Sequence, residues 1–309
     1  MVYTTVFSGV ATMLIYVGIG FGLTKWKKTI TDHARTLSGL LIYCCSPCLI
    51  INSFLGLDFS LEYLRKFSIF FVVSLIIHAA AFLILYLIFG RKFDDSRYKV
   101  LIIGATLGNG GFFGLPIITA VFPDQPVVAC YSMMFITAMN ILVFTVATYL
   151  LTGDKKYVSV KSAIINPTVI PAAIGLALYL LQVSLPDLLG NAISILGQMS
   201  TPLCMLILGL RLASMDLKSV FGQAFAYISS FLKLIAFPLF AYLCVYWIPF
   251  LDDTFKLSIL VLCGCPTAAV VLSVAEFHNC NQKLASNVIL LSTLLCIITL
   301  PLMCMIFIR

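Results

Sequence analysis

"LGNGGFFGLP", Leu107 to Pro116, interrupts an apolar run that is otherwise long enough to cross a bilayer. Its four glycines and one proline oppose a continuous helix. Glycine costs about 1 kcal/mol relative to alanine in a helix, and proline removes a backbone donor. Hydrocarbon offers no water to broken backbone. Non-helical chain at that depth is tolerated only where protein or a watery cavity covers it.

The rest of the chain supports a membrane setting. Of 309 residues, 61% are hydrophobic and only 10% charged, and the mean hydropathy is +1.10. Soluble domains carry about 25% charged residues. A span needs about 20 apolar residues, and suitable runs fall near 4–24, 34–55, 67–89, 98–121, 126–151, 164–182, 189–210, 225–248, 255–276 and 285–308. The expected fold is an all-α membrane protein of ten transmembrane helices. The eleven cysteines lie mostly inside these runs, where a free thiol behaves as a small hydrophobe.

The net charge of +7 does not imply a nucleic-acid partner, because the basic residues sit in short loops. Fourteen of the nineteen Lys and Arg fall on one face, from Lys25, Lys27 and Lys28 through Arg91, Lys155, Arg211 and Lys218 to Lys283. Arg65, Lys66, Lys256 and Arg309 fall on the other. The positive-inside rule puts the first face in the cytoplasm. Both termini are then extracellular or periplasmic, and the chain is a multi-pass protein of the cell membrane.

Sliding the chain along itself by about 156 residues aligns Gly108 with Gly264, Ser74 with Ser230 and Ala129 with Ala285. Ser46-Pro47 meets Thr201-Pro202 at 155. This offset predicts two five-helix repeats, 1–151 and 164–309, and an odd number of spans inverts the second. The Leu107 break acquires a partner in "CGCPTAAVV", Cys263 to Val271, where Pro266 disfavours helix at Cys265. Paired interruptions in corresponding spans point to a binding site, since half-helix N-termini accept anions. The alternative is that the glycines simply let neighbouring helices approach closely. A dinucleotide fingerprint fails, because Phe113 holds the third glycine position and no strand precedes it.

"GNGGFFGLP" in a ten-span chain with a second break in span 9 resembles the auxin efflux carrier family, within the bile, arsenite and riboflavin transporter superfamily. The resemblance covers essentially the whole chain. It implies broken crossover helices 4 and 9, a scaffold of helices 1, 2, 6 and 7 that is often dimeric, and a mobile transport domain of helices 3, 4, 5, 8, 9 and 10. The long loop of plant members is missing between spans 5 and 6, which implies a compact, bacterial-type transporter.

The candidate substrate-binding residues are Gly108, Asn109, Gly110, Gly111, Asn140, Lys233, Cys265, Pro266 and Thr267. The Asn109 amide can orient a carboxylate or cap a half-helix, and the Thr267 hydroxyl can cap or bind. Lys233 lies inside a span, eight residues from its cytoplasmic start, or about 12 Å. It either faces an anion or snorkels to the interface. His78 is a candidate proton relay and Glu276 a candidate coupling-ion residue.

The expected function is secondary active transport of a small organic anion by elevator-type alternating access. Carboxylates such as malate, malonate or auxin-like acids fit best, with H+ or Na+ as a coupling ion. No cofactor, resident metal or enzymatic activity is expected: the chain has no P-loop, and its Asp residues lie in loops or at span ends. Two alternatives are a soft-metal or thiol-ligand carrier, prompted by "YCCSPC" and "CGCP", and a membrane receptor that transports nothing.

Overall fold

The computed structural model describes residues 2–29, 31–154, 156, 158, 160–213 and 220–307. Lys155, Lys218 and Arg309, counted in the charge asymmetry, lie outside the described residues. The first half holds α1 (Val2–Lys25), α2 (Thr31–Leu40), α3 (Ser46–Asn52), α4 (Leu61–Phe89), α5 (Ser96–Thr106), α6 (Leu115–Val121), α7 (Val127–Leu142) and α8 (Thr148–Thr152). Next come α9 (Val160–Ile164), α10 (Val169–Leu180), α11 (Asp187–Gln198) and α12 (Ser200–Ala213). The chain ends with α13 (Ala224–Phe231), α14 (Phe237–Tyr246), α15 (Asp253–Cys263), α16 (Val270–Phe277) and α17 (Gln282–Phe307).

Seven continuous segments among the described residues are long and apolar enough to cross a membrane, and Gly110–Val121 and Val169–Leu180 are shorter apolar helices. Several long segments are joined from two helices through a wide π-helical turn. The turns Leu41–Cys45, Gly110–Gly114 and Leu232–Ala236 each run into a helix with proline in its first turn: Pro47, Pro116 and Pro238. Proline has no N–H and its ring crowds the carbonyl four residues back, and widening the turn relieves both.

Two boundaries differ from the hydropathy reading. The helix expected from residue 67 starts at Leu61. Its polar first turns are held by Lys66, whose Nζ lies 2.8 Å from both Glu62 and Asp252. The run expected at 164–182 shortens to Val169–Leu180. There the Asn166 side chain accepts from the N–H of Thr168 at 2.9 Å and of Val169 at 3.0 Å, starting α10 just after Pro167.

The runs expected at 98–121 and 255–276 are each cut in two. The first is α5, a gap, then Gly110–Val121; the second is α15, a gap, then α16. At its first turn α5 is capped by Asp95, which accepts from Arg97 N at 2.9 Å and Arg97 Nε at 2.7 Å. The same guanidinium holds the Asp95 carboxyl below its usual range.

Two sets of helices pack mainly among themselves, and α1 of the first also lies against α6 and α17 of the second. In one, α1 lies along α12, and α3 packs on α10 and α11. The α1–α12 contact is backbone on backbone: a Cβ on Gly209 would collide with the Val17 carbonyl. Only glycine fits there. In the other set, α4 packs on α7, α13 on α17 and α5, and α14 on α15. Its core includes Phe70 stacked on Tyr131 at 4.4 Å.

Candidate functional site

The two gaps meet. Gly108 and Thr267 form an antiparallel bridge, in which Asn109 N donates to Pro266 O at 2.8 Å and Ala268 N to Leu107 O at 3.0 Å. Each broken segment therefore satisfies backbone groups of the other, which makes two interruptions tolerable in an apolar interior. Glycine is needed where the segments touch side chains. A Cβ on Gly108 would meet Lys233 Nζ at 2.9 Å, and one on Gly110 would meet the Phe135 ring at 2.6 Å.

A cavity of about 400 Å³ opens on one side of the crossing, between the two helix sets. Its wall includes Gly108, Asn109, Gly110, Gly111 and Thr267 from the crossing, Asn140 from α7, and Cys204 and Arg211 from α12. Met133, Ile136, Met139, Phe144 and Leu208 make much of the remainder apolar. Both helices that restart after the gaps, at Gly110 and Val270, begin on this wall. The first N–H groups of a helix lack intrahelical acceptors and carry partial positive charge. The wall therefore combines two positive helix ends, an Arg and the primary amides of Asn109 and Asn140.

Asn109 precedes the first restart but makes no capping bond to it. Across the cavity wall it shares the lining with Cys204, on a helix of the opposite set. Thr267 is more committed than its sequence position suggests. Its hydroxyl donates to Gly104 O at 2.8 Å and its N–H to Ser292 Oγ at 3.1 Å. It thus caps the end of α5, rather than the start of α16.

The structure does not bring all candidate residues to the cavity. Cys265, Pro266 and Lys233 are buried behind the crossing, away from the lining. Lys233 does not snorkel: its side chain is fully buried and Nζ donates to Cys263 O at 2.6 Å. His78 is enclosed between the Phe135 and Phe237 rings, with Nδ1 donating to Ser74 O at 2.7 Å. Glu276 is exposed near the end of α16 and does not line the cavity. The thiols of Cys265 and Cys296 donate to the carbonyls of Val261 and Gly264.

Sequence reasoning missed Arg211 and Cys204 as wall residues. Arg211 counted as a loop charge, yet it lies in the last turn of α12. The signal was available: Cys204 and Arg211 are seven residues apart, which puts them on one helical face.

Membrane-length helices enclosing a polar-centred cavity define a membrane transport protein. Residues 5–304 match the family described as membrane transport protein, and the chain belongs to that family, the auxin efflux carriers. It is 28% identical over 300 residues to an uncharacterized transporter of Methanothermobacter thermautotrophicus, covering 95% of each chain. A second uncharacterized transporter, from Methanocaldococcus jannaschii, is 25% identical over 292 residues, covering 92% of this chain and 93% of its own.

Proposed function

We propose that this transporter is a secondary carrier of small organic anions, carboxylates foremost, and that the anion binds at the crossing. The observation that carries the reading is the wall itself: two helix N-termini, the Asn109 amide and Arg211 around one cavity. Helix N-termini and guanidinium groups both favour carboxylates. The apolar remainder suits the hydrocarbon body of an organic acid.

Alternating access then comes from the α4–α8 and α13–α17 set, with the crossing, sliding as an elevator against a scaffold of α1–α3 and α10–α12. The denser packing within each set supports this division, with α1 as the scaffold helix that lies against α6 and α17 of the moving set. In this reading the chain is two inverted five-helix repeats with both termini outside the cell membrane, and the scaffold pairs as a homodimer. A proton or a sodium ion is a candidate coupling ion, and a wild type that melts alike in sodium and choline salts leaves the proton.

The test is a thermal-shift screen of mono- and dicarboxylates on the purified protein, repeated on Asn109→Ala and followed by uptake into proteoliposomes. One or more carboxylates should raise the melting midpoint of the wild type. Asn109→Ala should weaken that binding about tenfold, the worth of one charge-assisted hydrogen bond. No shift with any carboxylate, and no uptake, sinks the proposal.

A further inference from the structure

The crossing has a second face, opposite the cavity, and it is built from carbonyl groups. Helix α15 ends at Cys263, so its last carbonyls have no partner within the helix and carry partial negative charge. Two of them are met by backbone, Gly264 N donating to Leu260 O at 2.9 Å and Cys265 N to Leu262 O at 3.3 Å, and the others by side chains. Cys265 donates to Val261 O, Cys296 to Gly264 O, and Lys233 to Cys263 O at 2.6 Å. The Leu262 carbonyl is close by as well. A Cβ on Gly108 would lie 2.9 Å from Lys233 Nζ and 3.5 Å from Leu262 O.

Lys233 is fully buried, and no Asp or Glu is buried among the described residues. An isolated ammonium in such surroundings is costly without compensation. Here the compensation comes from the carbonyl end of α15 and from the Phe237 ring, whose centre is 4.7 Å from Nζ. The wide turn Leu232–Ala236, placed just before Pro238, carries Lys233. At the 156-residue offset its counterpart is Ile77. The matching carbonyl end, that of α5, is completed by neutral donors, Thr267 Oγ1 to Gly104 O and Ala268 N to Leu107 O. A cation is therefore present at one repeat's carbonyl end and absent from the other's.

We propose that the Lys233 ammonium is a tethered cation that fills this carbonyl face in place of a coordinated alkali-metal ion. The crossing then holds together without a bound Na+ or Li+. Lys233 is a positioning residue: it acts through the Cys263 carbonyl and the Gly108 backbone. The inference rests on the crossing's geometry alone, so the carboxylate screen can fail while it stands, and the reverse.

The experiment compares wild type, Lys233→Ala and Lys233→Met in detergent, melted in NaCl, LiCl, KCl and choline chloride at equal ionic strength. Wild type should melt within about 1 °C in all four salts, and Lys233→Ala should melt about 5–10 °C lower in choline. NaCl or LiCl should restore at least about half of that loss, in a saturable manner. Lys233→Met keeps the bulk without the charge, so it should melt low in every salt. A lysine that merely fills space would give no such cation selectivity. The proposal is overturned if Na+ or Li+ specifically stabilises wild type. It is also overturned if Lys233→Ala melts alike in all four salts or folds in none, or if Lys233→Met is rescued as well as Lys233→Ala.

Discussion

The two breaks occupy corresponding places in the chain and are made of different material. The first, Leu107 to Asn109, is thin: Gly108 leaves room for Lys233 behind it and the cavity in front. The second, Gly264 to Ala269, carries a proline, a threonine and flanking thiols. The first depends on the second for its hydroxyl cap, since Thr267 completes the Gly104 carbonyl. The second takes a cation from outside both breaks, because Lys233 completes the Cys263 carbonyl. Two breaks that bridge each other thus differ in charge. The positive helix starts share the cavity wall, and the one buried lysine among the described residues is behind it.

The paired glycines test this inequality most severely. Gly108→Ala would press a methyl group against an ammonium already anchored on a carbonyl, with an expected cost of about 3 kcal/mol. Its counterpart Gly264→Ala meets the terminal methyl of Leu300 at 3.1 Å and the carbonyls of Leu260 at 3.2 Å and Val261 at 3.4 Å. The leucine can shift and the carbonyl contacts are looser than the ammonium contact at Gly108, so the expected cost is nearer about 1 kcal/mol. Melting of the two purified variants gives the comparison directly, and equal losses would mean the breaks are more alike than their contacts.

Thr267→Val comes between them. It removes the hydroxyl from a buried carbonyl and should cost about 2 kcal/mol. A drop well below that would show that the first break does not need its cap from the second. The smallest effect is expected for Cys265→Ser, whose hydroxyl can still donate to Val261 O, at under about 1 kcal/mol and with transport retained. Collapse of transport together with lost metal binding would turn the second break into a soft-metal site.

Both interruptions were legible because glycine and proline act on the backbone locally, whatever surrounds them. The wall positions of Asn109, Thr267 and the three glycines 108, 110 and 111 came from the same reading, and that of Asn140 from a polar residue standing in an apolar run. The two options for Lys233 could not be separated from sequence. A wide turn inserts an extra residue and rotates the downstream helix by about 100°, so helical periodicity loses its phase across Leu232–Ala236. His78, a polar residue near the centre of an apolar span, is stacked between phenylalanines, and Glu276, placed by the sequence at a span end, is exposed at a helix end.

The sequence by itself determined a helical membrane protein with two broken segments at one offset, since apolar length and backbone chemistry are properties of the chain. Only the tertiary structure decided that the breaks exchange hydrogen bonds, that Arg211 reaches the cavity, and that Lys233 caps a helix end behind it. Those facts depend on which helices pack together and at what rotation. Van der Waals packing and interhelical hydrogen bonds summed over many helix faces set both, and no single residue encodes them.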